Sequence, residues 1–261
     1  MNAADELKDK VYIVTGASKG FGLAISKALL EKGAKVGMLA RNSTDLDSAA
    51  TQFIESYGKD CVKTALCDVS SSAQVREAFS SIKNHYGQLN GVINNAGLAR
   101  PGSVETLRED EVLLQVNTNF VGTVLCCQAA IPLLRGEVNP RIINISSASA
   151  WHYDEMLHLS IYASTKAAVE RFTRDLRLEC QHDDIGVTCV RPGAAWTDFA
   201  NGWDEKRLSA GVEAWAQHFG TQADSGMDVS DVAESIVYSL SCPAGVAVDL
   251  LEVRPCRMTA K

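Results

Sequence analysis

The chain carries no surplus of positive charge. Its 25 Lys and Arg stand against 32 Asp and Glu, a formal net charge of −7. Nucleic acid and anionic bilayers need a positive face, so neither is an expected partner. The polar start Met1-Asn2-Ala3-Ala4-Asp5-Glu6 lacks the apolar stretch of a signal peptide, and no run of about 18 apolar residues occurs. A cytoplasmic protein is the expectation. The eight cysteines (61, 67, 126, 127, 180, 189, 242, 256) show no C-x-x-C spacing, and most sit in apolar runs. Buried reduced thiols are therefore expected, with no metal and no disulfide. Linkers, repeats and low-complexity tracts are also missing, which points to one domain over residues 1–261.

What is present is alternation. Short β-branched runs (Val11 to Val14, Lys35 to Leu39, Val62 to Leu66, Gly91 to Ile93, Arg141 to Ile145, Val187 to Val190) are separated by amphipathic segments at Gly22 to Lys32, Thr44 to Tyr57, Ala73 to Tyr86, Asp110 to Leu134 and Tyr162 to Gln181. A last short strand is expected at Val246 to Leu250. The pattern predicts an α/β fold with a single doubly wound, Rossmann-type parallel sheet of about seven strands and helices on both faces. Between about 194 and 230 the rhythm breaks into a long excursion carrying Trp196, Phe199, Trp203, Trp215 and Phe219. Such excursions commonly cover a ligand, and one or two short helices are expected in it.

Directly after the first strand comes Thr15-Gly16-Ala17-Ser18-Lys19-Gly20-Phe21-Gly22, followed by a helix. A glycine-rich turn entering a helix lets backbone approach a pyrophosphate and offers it the helix N-terminal N–H groups. Further on, Tyr162 and Lys166 stand four apart, which on a helix places phenol and ammonium on one face. At roughly 5 Å and an effective dielectric of about 20, the cation favours the phenolate by about 3 kcal/mol, bringing the phenol's pKa about two below its reference near 10. That is within reach of acid–base work.

These segments, with Cys67-Asp68-Val69, Asn94-Asn95-Ala96-Gly97, Asn119-Phe120-Val121-Gly122, Ser146-Ser147 and Pro192-Gly193 with Thr197, resemble the short-chain dehydrogenase/reductase family in order and spacing over nearly the whole chain. The resemblance implies an NADP(H)-dependent alcohol dehydrogenase or carbonyl reductase. Its catalytic set would be Asn119, Ser147, Tyr162 and Lys166, with Asn119 holding a water beside Lys166. Ser147 is preferred to Ser146, and Asn119 to Asn117, by their places in the matching segments. The cofactor would meet Gly16, Ser18, Lys19, Gly20, Phe21 and Gly22, then Asp68 and Val69 at the adenine, Asn95, Ala96 and Gly97, and Tyr162, Lys166, Pro192, Ala195 and Thr197 at the nicotinamide end. Ala40 occupies the position where NAD-using relatives carry Asp, and Arg41 follows it. With Lys19, Arg41 supplies positive charge for a 2′-phosphate, which is the argument for NADP(H).

Two departures bear on the substrate. The Ser147 to Tyr162 gap is fifteen residues, two more than such relatives typically carry, and the C-terminal stretch through Arg254-Pro255 replaces their glycine-rich segment. Trp151 and His158 in the lengthened segment, with Trp196 and Trp203 in the excursion, are the pocket candidates, and they suggest a bulky or hydrophobic carbonyl partner. A 3-oxoacyl thioester reductase and a non-catalytic dinucleotide sensor stay open as alternatives. The helices at 110–134 and 162–181 resemble those through which relatives form homodimers and homotetramers.

Overall fold

Alternation along the first strand sets the architecture. In β1 (Val11–Thr15), Val11 and Ile13 enter the core on one side of the sheet while Tyr12 and Val14 enter the core on the other. The computed structural model describes residues 6–152, 156–220 and 224–259. Residues 153–155 of the lengthened segment and 221–223 of the excursion lie outside the described residues. With β1, the strands β2 (Lys35–Ala40), β3 (Val62–Leu66), β4 (Gly91–Asn94), β5 (Arg141–Ile145), β6 (Gly186–Pro192) and β7 (Leu250–Val253) form a seven-stranded sheet. Their order is β3-β2-β1-β4-β5-β6-β7, with every neighbouring pair parallel. The order reverses between β1 and β4, and the crevice beyond their C-terminal ends is where such sheets bind ligands.

One face is covered by α1 (Gly20–Glu31), α2 (Ser43–Tyr57) and α8 (Val229–Leu240), whose Ile25, Leu29, Leu46, Phe53, Val232, Ile236 and Leu240 pack into a common core. The opposite face is covered by α3 (Ser72–Tyr86), α5 (Gly122–Leu134) and α6 (Ser160–Cys180) through Val75, Phe79, Ile82, Cys126, Ala130, Leu134 and Leu176. Burial at these helical spacings supplies most of what holds the short helices in place. Cys67, Cys126, Cys127, Cys180 and Cys189 are buried thiols, while Cys256 is exposed.

Two expectations change. The helix expected over 110–134 is α4 (Glu109–Val116) and α5 joined by a wider π-turn, Asn117–Val121, closed by the Gly122 amide donating to the Asn117 carbonyl. Taken together, Glu109–Leu134 is long and apolar enough to cross a bilayer by length and composition, and Cys126, Cys127, Ala130 and Leu134 of its second half lie in the core on the side of α3. The last strand forms at Leu250–Val253, not at 246–250. Its upstream carbonyls are taken by the buried Arg141 guanidinium, which donates to Val246 O at 2.7 Å and Cys242 O at 2.7 Å. The Val246 carbonyl, turned toward Arg141, is thereby kept out of the ladder. The excursion contains α7 (Glu205–Phe219), capped by the Asp204 carboxylate, and runs into α8, capped by Asp228.

Candidate active site

The turn between β1 and α1 is built by contacts that only glycine tolerates. Gly16 has φ +65°, and a Cβ on Gly22 would stand 2.1 Å from the Gly16 carbonyl oxygen and 2.7 Å from Asn95 Nδ2. Lys19 contributes no side-chain cap and the first turn of α1 holds no acid. The N-terminal N–H groups of α1 are thereby left to an outside acceptor, with their dipole uncompensated. Phe21 packs on the core, so what it offers a ligand is main chain. Asn95 and Ala96 are stitched to this turn: both amides donate to Thr15 Oγ1 at 3.0 Å, and Asn95 Nδ2 donates to Thr15 O at 2.9 Å.

At the edge of the crevice Lys19 and Arg41 are both exposed, whereas Ala40 is buried. Asp68 is half-buried. Burial pushes its carboxyl up, but the Ser70 hydroxyl and amide and the Arg41 guanidinium together hold it below the ordinary value. Val69 is buried against the opposite core. At the far end Pro192 closes β6, Ala195 bridges to Met227, and Thr197 approaches Gly20. The excursion thus returns to the glycine turn, 177 residues away in sequence.

The reactive side chains converge from β5, the π-turn and α6. Lys166 is 4% exposed, and its Nζ donates to the Ile145 carbonyl at 2.8 Å. Burial lowers its pKa from 10.5 to about 8, with only a small opposing pull from Cys189. The ammonium lies 5.8 Å from the centre of the Tyr162 ring. Asn119 is fully buried: its Oδ1 accepts from the Leu98 amide at 2.9 Å, and its Nδ2 donates to Leu98 O at 2.8 Å and to Thr165 Oγ1 at 3.0 Å. A Cβ on Gly97 would lie 3.3 Å from Lys166 Nζ and 3.4 Å from Asn119 Oδ1, so both polar groups stand close against the Gly97 backbone.

The two serines differ in a way the sequence left open. Ser146 is buried, with its hydroxyl turned to Lys166 O at 3.1 Å and Glu170 Oε1 at 2.8 Å. Ser147 is half-buried, and its Oγ accepts from the Ser149 hydroxyl at 2.9 Å and more weakly from the Ser149 amide at 3.3 Å. An oxygen that accepts inside keeps its own proton for an outside acceptor.

Of the pocket candidates, Trp203 is brought toward the tyrosine. Its ring stands edge-on to Phe199 at 5.5 Å, and Phe199 stands 5.3 Å from the Tyr162 ring. Phe199 lies outside the pocket candidates of the sequence, because an aromatic residue in an irregular stretch carries no periodicity to say which way it faces. Trp151 lies over the Arg191 guanidinium at 5.5 Å, Trp196 lies against Gly226, and His158 sits under α7 with φ 64° and its carbonyl accepting from Gly102 N. A groove of about 790 Å³ between α1, α2 and α8 reaches Gly20 and Thr197, but Tyr162 and Lys166 do not line it.

Sheet order, switch point and glycine turn are those of a doubly wound dinucleotide-binding fold. Residues 10–208 match the short chain dehydrogenase family, and the chain belongs to that family of oxidoreductases. An uncharacterized oxidoreductase of Staphylococcus aureus (strain MW2) is 32% identical over 252 residues, covering 95% of this chain and 98% of the relative. A short chain dehydrogenase from Burkholderia cenocepacia J2315, solved in complex with NADP, is similar at TM-score 0.82 and 26% identity, covering 95% of this chain and 98% of its own. An alcohol dehydrogenase from the archaeon Thermococcus sibiricus, complexed with 5-hydroxy-NADP, shares the fold at TM-score 0.80 and 24% identity, covering 97% and 100%.

Proposed function

We propose that this chain is an NADP(H)-dependent oxidoreductase that interconverts a ketone or aldehyde with an alcohol, with Tyr162 as acid and base. The observation that carries the reading is the buried Lys166, anchored on Ile145 O and 5.8 Å from the Tyr162 ring. With a pKa of about 8 it stays mostly protonated at neutral pH. An ammonium held this close to the ring favours the phenolate over the neutral phenol. Tyr162 can then give a proton to a carbonyl oxygen and take it back from an alcohol.

The residues around the crevice fit a nicotinamide dinucleotide. The glycine turn and the uncapped α1 N-terminus match a pyrophosphate, Asp68, Val69 and Asn95 to Gly97 border the adenosine side, and Pro192, Ala195 and Thr197 border the nicotinamide side. When bound, the cofactor supplies or accepts the hydride. Exposed Arg41 and Lys19, with Ala40 in place of an acid, favour the 2′-phosphate of NADP(H), and the solved B. cenocepacia relative holds NADP. Ser147 orients the substrate oxygen with its outward proton. Asn119 fixes the Leu98 backbone to α6 at Thr165 beside the buried Lys166, and there it would hold the water that links Lys166 to solvent protons.

Phe199 and Trp203 extend an apolar wall from Tyr162, which supports a bulky or aromatic carbonyl. The test follows NADPH absorbance over a panel of ketones, aldehydes and diketones. Tyr162→Phe is expected to lose about 10²-fold or more in turnover while NADPH binding, read by fluorescence titration, stays within twofold. Full turnover in that variant refutes the mechanism.

A further inference from the structure

We propose that Arg191, held between the carboxylates of Glu170 and Glu252, is a positioning residue that sets the site in two separable halves, one governing turnover and one governing substrate binding. The inference deepens the carbonyl-reduction reading and rests on it for its kinetic readout only.

The Arg191 side chain is 7% exposed at the end of β6, immediately before Pro192. Its Nε and Nη2 donate to the two oxygens of Glu170 at 2.8 and 2.6 Å, and its Nη1 donates to Glu252 Oε2 at 2.6 Å. Guanidinium is planar, so once the fork on Glu170 is made the direction of Nη1 is fixed. Glu170 lies four residues after Lys166 on α6, and its Oε1 also accepts from Ser146. Ser146 is shared with the Lys166 carbonyl and directly precedes Ser147. This inner half therefore registers β5, carrying Ser147, against α6, carrying Tyr162 and Lys166.

The outer half reaches the lengthened segment. The second oxygen of Glu252, on β7, stands 2.6 Å from His152 Nε2, and the Trp151 ring covers the guanidinium at 5.5 Å. Around it, Ala150 N–H donates to Ser147 O, and the Trp151 and His152 amides donate to Ala148 O. Ser147 is thus followed by a tight turn whose far end is tied to β7. Stability alone is a poor explanation, because buried ion clusters of this kind are often replaceable by apolar groups without loss. The geometry assigns them the relative placement of Ser147, Lys166 and residues 151–152.

Three variants separate the halves, with phenanthrenequinone as the carbonyl probe. His152→Ala is expected to raise KM about tenfold with kcat within twofold and NADPH affinity unchanged, and His152→Gln, whose amide can still donate to Glu252, is expected to restore KM. Glu170→Gln is expected to lower kcat about tenfold with KM within twofold. Hydrogen–deuterium exchange of the amides at 150–152 reads the tether without turnover, and His152→Ala is expected to speed it about tenfold with restoration in His152→Gln. Unchanged exchange in His152→Ala overturns the proposal whether or not the probe is reduced. A uniform fall in kcat and Tm across the variants, with KM constant, also overturns it and leaves the cluster purely structural. If wild type and Tyr162→Phe reduce the probe equally while exchange behaves as expected, the tether is upheld and the carbonyl-reduction reading fails.

Discussion

Replacing Lys166 with Met is expected to make the protein more stable while removing its activity. The fall of the lysine pKa from 10.5 to about 8 means that the folded state disfavours the ammonium. That displacement corresponds to roughly 3 kcal/mol at neutral pH. The sign follows from linkage: with the folded value below the unfolded one, the penalty is fully present below pH 8 and is relieved as pH rises toward 10.5. Methionine fills a similar volume without the charge, but leaves the Ile145 carbonyl without its donor, which costs about 1–3 kcal/mol. A net gain of up to about 2 kcal/mol remains, or up to about 8 °C in Tm for a chain of this size. The assay is urea unfolding of both proteins without cofactor at pH 7 and pH 10. The advantage of Lys166→Met should shrink at pH 10, when the folded wild-type lysine has lost its proton. A variant that is less stable at both pH values, or whose gain does not change with pH, refutes the argument that desolvation of Lys166 dominates.

Other outcomes follow from single contacts. Gly22→Ala forces a Cβ against the Gly16 carbonyl and should destabilise the protein by about 3 kcal/mol or more, with NADPH binding weakened, read by denaturant melts and fluorescence titration. Arg41→Asp should raise the Kd for NADPH about 10-fold to 100-fold and leave NADH within about threefold. Equal effects on both cofactors would remove the 2′-phosphate argument. Phe199→Ala should raise KM for bulky aromatic carbonyls about tenfold while small ketones change little, because only the former reach the wall toward Trp203.

Most of the frame was legible because its signals are local. Six strands, the glycine turn and the four-residue spacing of Tyr162 and Lys166 depend on neighbours in sequence, and the structure places them as read. What the sequence hid depends on partners far along the chain. Arg191 meets Glu170 and Glu252 across 21 and 61 residues, separations at which no local pattern pairs an arginine with its carboxylates. β7 shifted because Arg141 holds carbonyls about 100 residues downstream. Helix α8 was legible and missed, since Val232, Ala233, Ile236, Val237 and Leu240 mark one helical face.

The π-turn at Asn117–Val121 has a consequence for how this site can change over time. A π-turn is an ordinary helix with one surplus residue, and Asn119 stands within that surplus. Removing one residue there would let α4 and α5 fuse in phase, so Gln115, Cys126 and Ala130 would keep their buried places while Asn119 lost its hold on Leu98 and Thr165. Loss of function by that route needs no loss of fold. A single-codon deletion in this turn separates the two more cleanly than any deletion in a strand, where side chains alternate and every later residue would change face.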